Sequence, residues 1–85
     1  MTKIRATGVV RNGNKILMIH RFRDVKEYYV LPGGKMEEGE TVEEAVLREL
    51  MEETSVNAKL GEKLISFSDK DGREHQLFNN LVRKH

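Results

Sequence analysis

Between Gly34 and Val56 the chain reads GKMEEGETVEEAVLRELMEETSV, and no other stretch constrains the fold as much. Thr41 followed by Glu44 is a capping-box pair, so the sequence predicts a helix beginning right after Thr41. The helix should run to Thr54, because the intervening residues are mostly good helix formers with no Gly or Pro among them. On it Glu49, Glu52 and Glu53 stand at i, i+3 and i+4, projecting from neighbouring positions on one side. Three like charges placed so closely repel unless a cation sits among them. A hard divalent ion is the natural partner for such oxygens, and Mg²⁺ suits a site completed by phosphates and water.

The plainer reading is a solvated acidic helix face, which would put the glutamates opposite the apolar residues. Instead Val42, Ala45, Val46, Glu49 and Glu53 fall on one i, i+3, i+4, i+7 stripe. A second stripe, Leu47, Leu50, Met51 and Thr54, predicts packing on another side as well. Geometry alone leaves a metal site and an acidic surface as alternatives.

The spacing of the whole stretch narrows the choice. Gly34 is followed by five residues and Glu40, then by seven residues and Arg48-Glu49, then by Leu50-Met51, Glu52-Glu53 and the apolar Val56. This pattern resembles the signature box of the Nudix hydrolases, which cleave nucleoside diphosphates linked to another moiety with the help of a divalent metal. Every charged position of the box is matched, and one position departs from it: Ser55 stands where the family has glycine. A glycine after a helix usually takes the left-handed conformation, so serine there costs on the order of 1 kcal/mol or the chain exits differently.

The resemblance implies roles for individual residues. Glu53 is the first choice for a ligand of Mg²⁺ (or Mn²⁺), with Glu49 and Glu52 completing the cluster and a backbone carbonyl supplied by Gly33. Pro32, Gly33 and Gly34 offer a rigid entry followed by backbone without side-chain bulk, able to approach metal or phosphate. Glu49 is also the candidate general base, although some members recruit a glutamate from a later loop. Arg48 could orient the carboxylates by charge-assisted hydrogen bonds, or simply pair with Glu44 or Glu52 on the helix surface. Glu40 precedes the cap, where negative charge favours the helix N-terminus, and in the family it also reaches toward the catalytic carboxylates. Arg21 and Arg23 are placed where family members meet substrate phosphate; solvated loop charges are the alternative.

Elsewhere the chain excludes more than it assigns. Its 85 residues suffice for one small domain, which buries roughly 60–65% of its unfolded surface. Fifteen basic and fourteen acidic side chains nearly cancel, so no overall field points to a nucleic-acid polymer or a membrane. The absence of cysteine removes disulfides and thiolate metal sites. No segment has the length of a signal peptide's apolar run or of a membrane span, so a cytoplasmic protein is expected. His20, His75 and His85 form no ligand-spaced cluster.

Strands are predicted at Ile4 to Val10 and Lys15 to Arg21, joined by the turn residues Asn12-Gly13. The apolar run Ile16 to Ile19 suggests that the second strand is covered on both faces. Phe22 to Glu27 reads as a charged loop, Tyr28 to Leu31 as a short strand, and Pro32-Gly33-Gly34 as the start of a long loop. Either tyrosine, Tyr28 or Tyr29, could stack on a base or join the core. After the helix, Leu60 to Phe67 and Glu74 to Arg83 read as strands joined by a turn at Asp69-Lys70-Asp71-Gly72. Asn79 and Asn80 interrupt the last of these, as cleft residues or as an exposed edge.

The expected class is therefore α+β, a mixed sheet with largely antiparallel neighbours packed against the box helix. The resemblance makes it a reduced α/β/α sandwich, a single Nudix-like domain over residues 1–85 without the usual C-terminal strands and helix. The uncovered sheet face would then call for a cover such as a homodimer or an exchanged element. Two functions follow: a Mg²⁺-dependent pyrophosphohydrolase acting on a nucleotide derivative, or a non-catalytic module that keeps the box and binds nucleotide or metal. A third, an unrelated interaction domain with an acidic helix, predicts indifference to Mg²⁺ or Mn²⁺.

Overall fold

The computed structural model describes residues 3–82. Strand β1 (Ile4–Asn12) lies at the centre of the main sheet, with β7 (Glu74–Val82) beside it and β6 (Ala58–Ser68) beyond β7. Two short strands also pair with β1: β2 (Lys15–Ile16) at Arg11 and Asn12, and β5 (Gly33–Lys35) at Arg5 to Thr7. Apart from the parallel pair β1–β7, the neighbours in this sheet are antiparallel. Helix α1 (Val42–Thr54) packs across β1, β5 and β6. The class is α+β as the sequence predicts, a mixed sheet with one helix.

A shared face of helix and sheet makes the core. Ala45, Val46 and Leu50 meet Ala6, Val10, Ala58 and Phe78, and all seven are buried. Leu17, Met36, Val42, Leu47, Val56 and Leu60 pack around them. The first helical stripe faces the sheet as its spacing implies, with Ala45 and Val46 buried and Val42, Glu49 and Glu53 partly covered, whereas the second is split: Leu50 is buried and Met51 is exposed. A helix against a single sheet has one dry side, so the expectation of two covered sides fails at Met51.

The capping box forms at Thr41. Its Oγ1 accepts from the Glu44 amide at 3.1 Å, and Glu44 Oε1 accepts from the Thr41 amide at 2.9 Å. At the other end Ser55 takes the left-handed conformation itself, with φ 60° and ψ 18°, and its amide donates to the Met51 carbonyl. Strain at the cap is therefore the outcome, not a different exit. Ser55→Gly should relieve it at the expense of unfolded-state entropy, for a net gain of roughly 0.5 kcal/mol and a midpoint a few degrees higher in a thermal melt. A lower midpoint would show that the serine hydroxyl contributes more than the backbone conformation costs.

Four sequence expectations are corrected. Phe22 to Glu27 is a hairpin, not a loop: β3 (Ile19–Arg23) pairs with β4 (Lys26–Val30), and Asp24 turns the chain at φ 58°. The apolar run before it is not one doubly covered strand, since it breaks between β2 and β3 and leaves Ile16 and Met18 48% and 41% exposed. The Pro32-Gly33-Gly34 approach is drawn into the sheet as β5, because an extended glycine segment can lie flat on β1. Asn80 is neither in a cleft nor on an edge: β7 is an interior strand and Asn80 is buried, its Nδ2 donating to the Phe78 carbonyl. Arg83 and His85 lie outside the described residues. No helix among the described residues is long and apolar enough to cross a membrane.

Candidate active site

The helix, β5 and the β3–β4 hairpin converge on the glutamates. Gly34 has no side chain, and a Cβ there would lie 2.6 Å from Glu49 Oε1, so only glycine lets that carboxylate rest on the β5 backbone. One turn along the helix, Glu53 Oε1 accepts from the Gly33 amide at 2.8 Å. The carboxylates at i and i+4 are thereby fixed against two consecutive glycines. Glu52 points outward and is largely exposed.

Like charges this close require a cation, and in the structure the cations are arginines. Arg48 grips Glu40 with two nitrogens: Nε donates to Oε2 at 2.7 Å and Nη2 to Oε1 at 3.0 Å. Its Nη1 reaches Glu49 Oε1 at 2.9 Å and Glu52 Oε2 at 3.2 Å, with Glu37 at 3.4 Å. Nη2 also donates to the Lys35 carbonyl at 3.1 Å, tying the helix to β5. This bidentate, charge-assisted arrangement orients the cluster more than a surface pair would. The Glu40 hydrogen bond, ahead of the lesser one from Glu49, holds the guanidinium well above its usual pKa. Reciprocally, Arg48 and then the Glu37 amide hold the Glu40 carboxyl below its ordinary range.

From the hairpin, Arg21 Nη2 donates to Glu53 Oε2 at 2.7 Å, and from β1 Arg5 Nη2 donates to the Gly33 carbonyl at 3.3 Å. Glu40, Arg48, Glu49, Glu52, Glu53, Gly33, Gly34 and Arg21 are thus brought together. Arg23 is not among them; it sits at the exposed end of the hairpin opposite Lys26. Tyr28 is the strand partner of Arg21, while Tyr29 stacks on His20, so neither tyrosine belongs to the core. Glu44 serves the cap and not Arg48. Sequence reasoning missed Arg5, for which an isolated basic residue on a strand gives no signal.

Among the described residues no three carboxylate or histidine side chains converge closely enough to cage a metal ion. A hollow of about 590 Å³ opens between Lys3–Ile4 and Lys35–Gly39, and Glu49, Glu52 and Glu53 do not line it.

The family model described as the NUDIX domain matches residues 1–83. The chain belongs to the Nudix family. An ADP-ribose pyrophosphatase of Methanocaldococcus jannaschii is 44% identical over 77 residues, which cover 87% of this chain and 46% of that protein. A methanol dehydrogenase activator of Bacillus methanolicus is 36% identical over 77 residues, covering 88% of this chain and 42% of that protein. The chain spans less than half the length of both. Among solved structures, a Nudix hydrolase from Nitrosomonas europaea superposes with a TM-score of 0.86 at 22% identity, covering 99% of this chain and 49% of that one. That likeness establishes the Nudix fold for the sheet and helix described above.

Proposed function

We propose that the 85-residue Nudix chain is a binding module for a nucleotide and its divalent cation, built on the box helix. The observation that carries this reading is the state of the carboxylates: Glu49 is engaged by Arg48 and Glu53 by Arg21, and among the described residues no three acidic or histidine side chains are arranged to hold a metal ion by themselves. Mg²⁺ is commonly held by one or two carboxylates with substrate phosphates filling the remaining positions, so a site of this size is adequate for a metal that arrives with a nucleotide. The residues fit that role on two structural grounds. Gly34 leaves a cradle for Glu49, and the Arg21 guanidinium stands as a cation against Glu53. Glu53 and Glu49 would hold the ion beside the Gly33 carbonyl, and Glu52 lies at the rim. When bound, Mg²⁺ or Mn²⁺ would draw charge from phosphate oxygens and orient them. Arg48 keeps Glu40, Glu49 and Glu52 in place throughout.

Hydrolysis of a phosphoanhydride is the second reading, favoured by the complete carboxylate set Glu49, Glu52 and Glu53 and by the ADP-ribose pyrophosphatase among the relatives. On this reading Glu49, beside Arg48, would accept the proton of an attacking water. ADP-ribose and nucleoside triphosphates are the first substrates to try. The chain should be incubated with Mg²⁺ and these nucleotides, turnover followed by phosphorus NMR and binding by calorimetry, alongside Glu53→Gln. Saturable binding weakened in the variant, without turnover, is the expected result. Turnover lost in the variant would establish the hydrolase instead, and no binding by either protein would refute both.

A further inference from the structure

The donors that would receive a divalent cation are already engaged by arginines, and the arginines are not equally committed. Arg48 holds four carboxylates and a carbonyl, and its side chain is only 21% exposed. Arg21 makes a single contact with the cluster, to Glu53 Oε2, and its side chain is 43% exposed against 17% for Glu53. It also comes from a different piece of structure. The β3–β4 hairpin forms its own two-stranded sheet, with no ladder to the main one among the described residues. The 2.7 Å ion pair therefore ties a separate hairpin to the last turn of α1.

We propose that Arg21 is an internal competitor for the cation site, so that a divalent ion gains Glu53 only by displacing the Arg21 guanidinium and untying the hairpin from helix α1. This rests on the reading of Glu53 as a metal ligand. Glu53 Oε1 already accepts from the Gly33 amide, so Oε2 is the oxygen without a backbone partner among the described residues, and Oε2 is where Arg21 sits. A guanidinium and a divalent ion cannot share that oxygen in close contact without like-charge repulsion. Exchange is feasible because the Arg21 side of the pair is open to solvent, where a displaced guanidinium is readily rehydrated. Once released, the hairpin has lost its charged link to the helix, so metal loading and hairpin position become one equilibrium, with reciprocal effects of each on the other.

The test is calorimetric titration with Mn²⁺ of the wild-type chain, Arg21→Gln, Arg23→Gln and Glu53→Gln. Arg23→Gln removes the same charge from the same hairpin without touching Glu53, so it subtracts the general effect of net charge. Arg21→Gln should bind Mn²⁺ about fivefold more tightly than both the wild type and Arg23→Gln, an advantage that shrinks with added salt. A second readout is intrinsic. The chain has no tryptophan, and both of its tyrosines, Tyr28 and Tyr29, lie on β4. Tyrosine emission should therefore change when Mg²⁺ is added to the wild type and stay flat in Arg21→Gln. Equal affinities of Arg21→Gln and Arg23→Gln, with Glu53→Gln still weaker, would overturn the exchange and leave the metal site standing. Failure of Glu53→Gln to weaken Mn²⁺ binding would remove the site, and the exchange with it.

Discussion

Gly33→Ala should unfold the chain far more readily than a one-carbon change suggests. A Cβ at this position would lie 2.3 Å from the Ala6 carbonyl oxygen and 2.9 Å from Thr7 Cα. Both are backbone atoms of β1, the central strand, so no side chain can swing aside. Gly33 is the strand partner of Thr7, and its amide is the donor that fixes Glu53. To admit the methyl group, β5 must lift from β1, and it would break the ladder and release Glu53 together. The expected loss is about 3 kcal/mol, which for a chain this short lowers the thermal midpoint by roughly 12–24 °C. Thermal unfolding followed by circular dichroism would measure it. A midpoint within a few degrees of the wild type would mean that β5 does not hold its position against β1.

That glycine illustrates what the sequence could and could not convey. Its place before the box pointed to close backbone approach, and close approach is found, but against β1 as well as against Glu53. The helix was legible because its signals are local: Thr41 and Glu44 bond across three residues, and the stripe from Val42 to Glu53 repeats with the helical period. The hairpin was not. Arg21, Phe22, Arg23, Lys26 and Glu27 are exposed, so no alternation of burial marks the strands. The parallel pairing of β1 with β7 joins residues about seventy positions apart, from Ile4 with Glu74 to Val10 with Asn80, and no local pattern encodes it. The same holds for the site. The spacing of Glu49, Glu52 and Glu53 announced crowded negative charge and hence the need for a cation. Which cation meets them in the folded chain depends on Arg21 and Arg48 arriving from different elements, a tertiary matter.

Arg48→Ala should reverse the way stability responds to acid. In the wild type Glu40 holds its proton less tightly than an unfolded carboxyl does, first because of the Arg48 hydrogen bond. Its contribution is therefore complete above the ordinary carboxyl value of 4.5 and is lost as pH falls from there through the lower folded value. Between pH 7 and 4.5 this group leaves wild-type stability level. Without Arg48 the hydrogen bond that holds Glu40 down is gone and the neighbouring carboxylates lose their shared cation, which favours the protonated form of Glu40. The folded variant then binds protons more readily than its unfolded chain, so it gains stability as pH falls from 7 toward 4.5. At pH 7 its midpoint should lie on the order of 10 °C below that of the wild type, given a guanidinium mostly covered and shared among several anions. A divalent cation offers the same charge to the same oxygens, so millimolar Mg²⁺ should raise the variant's midpoint more than the wild type's. Melts at pH 7 and 4.5, with and without Mg²⁺, separate the possibilities. A variant that melts like the wild type at pH 7, or that weakens on acidification and ignores Mg²⁺, would mean that solvent already neutralises the carboxylates and that Arg48 organises nothing.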